Sequence, residues 1–314
     1  MDTARDKSTS YTYGPVPSRR LGLSLGVDIV PPKICTLDCV YCQVGRTTRK
    51  SAVREDFLDI EAVLAELGER LQTGLKADFI TIGGSGEPTL HRRLGDLIDG
   101  VRRLTDIRVA VLTNGTLLFR SDVRADCAKA DVVIPTLDAA EATVFEAVHR
   151  PTAGISIEKV VSGLEQFRRE FQGEIWLEVF LVAGVNTEAG QIEQLKDLIR
   201  RIRPDKVHLN TAVRPAAEPD VRAVPAETLD AIARQIGENC EVIGAPPAAG
   251  QERPERRAES DILSVLRRRP CSVEDIVTGL AMDRDEVREH LTHLEDLGTI
   301  ASERRGDTMY FRVR

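Results

Sequence analysis

The chain has 314 residues, which at about 150 residues per domain predicts two domains. Hydrophobic residues make up 42% and charged residues 30%, and the net charge is −7, which excludes a protein whose whole surface tracks nucleic acid. No apolar run reaches the roughly 18–20 residues needed to cross a membrane. Met1–Arg5 carries charges of both signs with no apolar stretch behind it, and six cysteines are too few for a disulfide scaffold. A cytoplasmic chain with no membrane partner is expected.

Leu23–Val30 is apolar and predicts a first strand. Leu58–Thr73 carries Ile60, Val63, Leu64, Leu67 and Leu71 at helical spacing, with Asp59 placed to cap it. Phe79–Ile82 predicts a buried strand ending in Gly83-Gly84, and Leu94–Leu104 a helix. Arg108–Leu112 predicts a strand ending in Thr113-Asn114-Gly115, and Val132–Leu137 another closed by Asp138. Ile155–Phe171 and Gln191–Ile202 read as helices, Ile175–Val182 and Lys206–Leu209 as strands. Strands alternating with helices predict parallel βα units, so the fold class is α/β, with enough strands for a barrel or a wide open sheet. In a parallel barrel the chemistry sits where strands end. Six suggestive clusters fall there: Cys35–Cys42, Gly83–Thr89, Thr113–Thr116, Asp138, Gly184–Asn186 and Asn210–Arg214. They are expected to share one face and form one site.

A composition break follows residue 243. Gly244–Arg257, GAPPAAGQERPERR, reads as a linker. Beyond it Ala258–Leu266 predicts a helix, Ser272 caps Val273–Leu280, and Asp283 caps a longer helix with Val287, Leu291, Leu294 and Leu297 on one face. Two strands flank Arg305-Gly306-Asp307, a hairpin turn. Three helices and a hairpin resemble a winged helix-turn-helix unit, giving domains at 1–243 and 258–314. Its longer helix holds six acidic residues against two arginines between Asp283 and Leu297, which phosphates would repel. Duplex DNA is therefore not the expected partner, and a protein-contact, dimerising or lid role is.

Cys35, Cys39 and Cys42 stand in a C-x3-C-x2-C pattern. Three thiolates on one short loop suit three irons of a cubane cluster, which normally takes four, and leave one iron open to another ligand. A structural zinc needs a fourth ligand, and no further Cys or His lies close in sequence. The segment Gly14–Lys50 carries Arg19, Arg20, Lys33, Arg46, Arg49 and Lys50 against Asp28 and Asp38, a local basic mouth suited to an anionic partner. Glu178 interrupts an apolar strand and needs a partner, for which Arg150 and Arg214 are candidates alongside a ligand contact. Arg150, Asn210 and Arg214 are candidate substrate-site residues, and the lone histidines His149 and His208 read as structural.

The C-x3-C-x2-C pattern with an aromatic before its last cysteine resembles the signature of the radical S-adenosylmethionine (SAM) superfamily. Gly14–Gly22, Ser24–Asp28, Gly84-Ser-Gly-Glu-Pro-Thr89, Leu112-Thr-Asn-Gly115, Leu137-Asp138, Arg150-Pro151 and Leu209-Asn210 with Arg214-Pro215 extend the likeness over about residues 11–220. Together they resemble the branch that includes wyosine-type tRNA base-modifying enzymes. The resemblance implies a partial (βα)6 barrel holding a [4Fe-4S] cluster and SAM. Cys35, Cys39 and Cys42 would ligate iron, and the open iron would take the SAM amino and carboxylate groups. Tyr41 would lie against the adenine. Gly84, Gly86, Glu87 and Pro88 would form the loop at the SAM amino group, and Asn114 and Asp138 would reach the ribose. In such enzymes a reduced cluster cleaves SAM to a 5′-deoxyadenosyl radical that takes hydrogen from the substrate. An electron donor such as flavodoxin or ferredoxin is implied, with an anionic substrate, an RNA base or a protein. The alternatives are an activase or peptide-modifying enzyme and, from a different class, an iron–sulfur sensor with the winged helix as output.

Overall fold

A computed structural model describes residues 10–243 and 258–314, apart from residue 281. The expected linker at 244–257 lies outside the described residues. The chain opens with an antiparallel hairpin of β1 (Thr12–Ser18) and β2 (Gly22–Val27). The sequence reading has no counterpart of β1. Its Pro15 and Pro17 lack ladder donors, and the strand tolerates them because it lies at a sheet edge and its register shifts between Tyr13 and Val16.

Beyond β2 come a short parallel pair, β3 (Ile34–Cys35) with β4 (Arg49–Lys50), and helix α1 (Ile60–Gln72). Asp59 caps α1 as expected, accepting a hydrogen bond from Glu61 N at 3.1 Å. The alternation continues through β5 (Phe79–Ile82), α2 (Leu94–Leu104), β6 (Arg108–Thr113), α3 (Ser121–Cys127) and β7 (Val132–Pro135). Then follow α4 (Ala142–His149), α5 (Ile157–Glu170), β8 (Glu174–Leu181), α6 (Ala189–Ile202), β9 (Lys206–Thr211), α7 (Ala226–Ile236) and β10 (Cys240–Val242).

The large sheet has the order β1-β2-β5-β6-β7-β8-β9-β10, with every pairing from β2 to β10 parallel. This is the expected α/β parallel architecture, a barrel left open between β1 and β10. One face of the sheet buries Leu25, Ile80, Val109, Val133, Leu177 and Val207 with the helices in the main core. Alternate residues point the other way. Phe79, Ala110, Val132, Ile134 and Trp176 pack with Leu21 into a separate apolar layer. That layer plugs one end of the concave face and leaves the other for polar groups.

The C-terminal unit comprises α8 (Ala258–Leu266), β11 (Cys271–Ser272), α9 (Val273–Leu280), α10 (Arg284–Asp296), β12 (Ile300–Arg305) and β13 (Thr308–Val313). Its antiparallel sheet has the order β11-β13-β12. Ser272 and Asp275 form a reciprocal box at the start of α9. Asp275 Oδ2 accepts from Ser272 N at 3.0 Å, and Ser272 Oγ accepts from Asp275 N at 3.1 Å. Asp283 caps α10 through Asp285 N and Glu286 N.

This unit bridges both rims of the open barrel. Val16 of β1 is buried in the same apolar cluster as Ile262, Leu266, Ile276, Val287 and Leu291. On the far rim Arg214 Nη2 pairs with Asp275 Oδ1 at 2.8 Å, and Tyr310 Oη donates to Val213 O at 2.9 Å. Among the described residues no helix is long and apolar enough to cross a membrane. Asp275 therefore carries both a helix cap and a bridge to the barrel. Asp275→Ala is expected to lower the unfolding free energy by about 3 kcal/mol in urea denaturation, because the buried Arg214 charge loses its partner.

Candidate functional site

The cysteine loop climbs from the end of β2. Lys33 adopts a left-handed φ of 63°, an uncommon state for a side chain, held by Lys33 N donating to Ser85 O at 2.8 Å and by Lys33 O accepting from Thr48 N at 3.0 Å. Cys35 follows on β3, and Cys39 and Cys42 share a tight turn in which Cys42 N donates to Cys39 O at 3.1 Å. Each sulfur has a nitrogen neighbour. Lys33 Nζ donates to Cys42 Sγ at 3.1 Å, Asn114 Nδ2 donates to Cys35 Sγ at 3.4 Å, and His149 Nδ1 lies 3.1 Å from Cys39 Sγ.

All three thiols are partly exposed and line one cavity. Burial pushes the Cys35 thiol up to about 12 and raises Cys39 well above the ordinary thiol range. Metal uptake at these positions would release the thiol protons. Among the described residues no three His, Cys, Asp or Glu side chains converge as a single metal ion requires. Three thiols around one cavity, each beside a nitrogen, fit a cluster in which each takes a different iron.

The loop after β5 runs beneath them. At Gly86 a Cβ would stand 2.5 Å from Ile34 O, so only glycine lets this loop pass so close to the cysteine loop. Glu87 is buried and accepts from Thr89 N, Thr89 Oγ1, Thr113 Oγ1 and Asn114 N, at 2.6–3.0 Å. Burial raises its carboxyl and these four donors oppose the rise. Glu87 thus ties the end of β5 to the end of β6, besides facing the cavity. Gly84 also lines the cavity, whereas Pro88 opens a buried 3-10 turn and does not.

Asn114 lines the cavity, but its amide is engaged: Nδ2 also donates to Thr36 Oγ1 at 2.8 Å, and Oδ1 accepts from Thr116 N and Oγ1. Asp138 departs further from expectation. It lies outside the cavity wall, accepting from Phe180 N through Oδ1 and from the Tyr41 hydroxyl through Oδ2. Burial raises Asp138 to about 7 and lowers His149, 3.3 Å away, to about 3, so the imidazole is held neutral beside it. Asp138 positions Tyr41 rather than facing a ligand. One face of the Tyr41 ring stacks on Phe180 at 3.9 Å between centroids, and the residue still lines the cavity.

The cavity holds about 390 Å³, and its wall also includes Glu178, Asn210 and Arg214. Glu178 pairs with neither Arg150 nor Arg214. It takes Arg20 as its ion-pair partner and accepts from Asn210 Nδ2 at 3.1 Å. Arg150 lies outside the cavity wall, its guanidinium on Glu218 at 2.5 Å. It terminates α4 in the left-handed state, and its side chain serves the outer surface. Asn186, from the Gly184–Asn186 cluster, is spent on the backbone of Asp138, Phe180 and Val182. The basic segment divides: Arg19 and Arg20 enter the cavity wall, while Arg46 and Arg49 pair outside with Glu218 and Glu55. Arg268 and Arg269 of the C-terminal unit complete the wall. Nothing in their local sequence marks them as site residues, because they reach the cavity only through the docking of α8 and α9 against β1.

An open parallel barrel with a cysteine loop at its strand ends and a cavity on its concave face is the architecture of the radical SAM fold class. The profile of the radical SAM superfamily matches residues 29–209, more than half of the chain, which belongs to that superfamily. A UPF0026 protein of Methanocaldococcus jannaschii is 33% identical over 71% of this chain and 70% of its own, placing the chain in that family too. A protein of Brachyspira hyodysenteriae named GTPase Obg is 35% identical over 94% of this chain. The chain spans 44% of that relative's length and contains no Gly-Lys-Ser or Gly-Lys-Thr phosphate loop. Among solved structures, TYW1 with a lysine–pyruvate adduct superposes with a TM-score of 0.54 at 17% identity, covering 71% of this chain and 75% of that one. The likeness supports the fold read from the motifs.

Asn114→Ala removes the donor to Cys35 Sγ. It is expected to shift the midpoint potential of a reconstituted cluster to more negative values in a redox titration, because hydrogen bonds to sulfur stabilise the reduced state.

Proposed function

We propose that this protein cleaves SAM reductively and uses the resulting radical to take hydrogen from an anionic substrate. The observation that carries the reading is the convergence of Cys35, Cys39 and Cys42 on one cavity with Gly84, Gly86, Tyr41 and Asn114. A bound [4Fe-4S] cluster, reduced by a flavodoxin- or ferredoxin-class donor, supplies the electron that breaks a carbon–sulfur bond of SAM. The three cysteines hold the cluster, and Lys33, Asn114 and His149 stand beside their sulfurs. The glycine loop gives SAM close approach to the backbone, and Tyr41, steadied by Phe180 and Asp138, presents an aromatic surface. Glu178 and Asn210 line the cavity as a hydrogen-bonded pair, with Glu178 held in place by Arg20. Enclosure by the C-terminal unit limits entry of water and oxygen to the reactive centre.

A sensor that reads DNA through the C-terminal unit fits less well, since that unit is docked on the barrel and its α10 is acidic. Anaerobic reconstitution with iron and sulfide, followed by reduction in the presence of SAM, is expected to yield 5′-deoxyadenosine. Cys39→Ala is expected to bind less iron and to lower that yield at least about a hundredfold. Full product formation by Cys39→Ala, or none by the parent protein with its iron loaded, contradicts the proposal.

A further inference from the structure

The cavity wall carries five arginines, Arg19, Arg20, Arg214, Arg268 and Arg269, but only two acidic residues, Glu87 and Glu178. Glu87 is spent on threonine and backbone donors and Glu178 on Arg20 and Asn210. Arg214 pairs with Asp275 through one nitrogen, and Arg268 lies 3.7 Å from Asp28 while stacking over the Tyr13 ring at 4.0 Å. Arg19 and Arg269 have no ion pair among the described residues, and Arg214 is 5% exposed with its buried Nε lacking a hydrogen-bond partner. Burial and the nearby Arg214 and Arg269 push Arg19 down to about 10 against a smaller opposing pull from Asp275, and burial with Arg19 and Arg269 does the same to Arg20. Like charges crowded away from water are costly unless an anion joins them.

We propose that Arg19, Arg214 and Arg269, backed by Arg20 and Arg268, form a binding site for the phosphate group of a small phosphorylated substrate, completed by the C-terminal unit. The inference deepens the function proposed above and rests on it for the reaction, though not for the binding site. The SAM carboxylate does not balance this charge, since SAM also brings a sulfonium and an ammonium. Two unpaired guanidiniums and a third free N–H offer more donors than one carboxylate accepts. A phosphate presents three terminal oxygens and takes arginines in bidentate pairs. The arginines lie inside a cavity of about 390 Å³ whose side opening the C-terminal unit covers, which favours a small molecule over a polymer on the surface.

The test is calorimetric titration of the full chain with inorganic phosphate and pyrophosphate at constant ionic strength. It needs neither SAM nor turnover, so its failure is distinct from failure to form 5′-deoxyadenosine. Saturable binding of one phosphate per chain is expected. Arg19→Ala and Arg269→Ala should each weaken it about tenfold or more, and Arg269→Lys by less. Arg200→Ala, on exposed α6, should leave it unchanged. Phosphate should also raise the thermal midpoint of the parent protein more than that of either alanine variant, a readout that does not rely on the variants being equally stable. Absence of saturable binding, or affinity unaltered by both alanine substitutions, overturns the proposal. So does tighter binding of malonate, which marks a carboxylate site, or of a single-stranded RNA oligonucleotide sensitive to the same substitutions, which marks a polymer substrate.

Discussion

A parallel sheet that does not close leaves two rims, and whatever spans them decides what reaches its concave face. Here β1 lines one rim, and β9, β10 and the segment after β9 form the other. The C-terminal unit grips both. Apolar burial around Val16 holds it to β1, and the Arg214–Asp275 ion pair and the Tyr310–Val213 hydrogen bond hold it to the far side. The two attachments differ in physics. Apolar burial is non-directional, whereas the ion pair and hydrogen bond fix the register. The same docking carries Arg268 and Arg269 into the cavity wall, so closure and chemistry depend on one interface.

Within the barrel, polar groups are largely matched to one another before any ligand arrives. Glu87 knits two strand ends, Asp138 steadies Tyr41, and Asn114 joins the cysteine loop to the end of β6. Such networks hold reactive groups rigidly, which a radical reaction requires because a loosely held intermediate meets solvent. The exceptions stand out against this background: three thiols beside nitrogen groups, and a set of arginines with too few carboxylates. Each exception fits the chemistry of one proposed partner, metal in the first case and an anion in the second.

Much of this was legible in the sequence, for identifiable reasons. The strand at 79–82, the first four residues of the strand at 206–211 and the helices at 94–104 and 258–266 announce themselves because their apolar spacing agrees with their burial. The cysteine loop is legible because its three ligands are close in sequence. β1 was hidden by its prolines, and β10, of three residues, is too short for a periodic signal. Charge pairing was the weakest inference. Arg20 lies in a hairpin turn some 158 positions before its partner Glu178, so no local pattern links them. Asp138 sits at a strand end, as a ligand-binding carboxylate would, yet its side chain turns back to Tyr41 and Phe180. Position along the chain placed residues at the correct end of the barrel, but side-chain direction there was decided by partners distant in sequence.

The central claim is that three cysteines hold a cluster with one iron open to SAM. Low-temperature electron paramagnetic resonance of the reconstituted, dithionite-reduced protein, recorded with and without SAM, tests it most directly. The expected result is the signal of a reduced [4Fe-4S] cluster whose g-values shift when SAM is added. A cluster signal indifferent to saturating SAM, or no four-iron signal in protein loaded with iron and sulfide, would contradict the account.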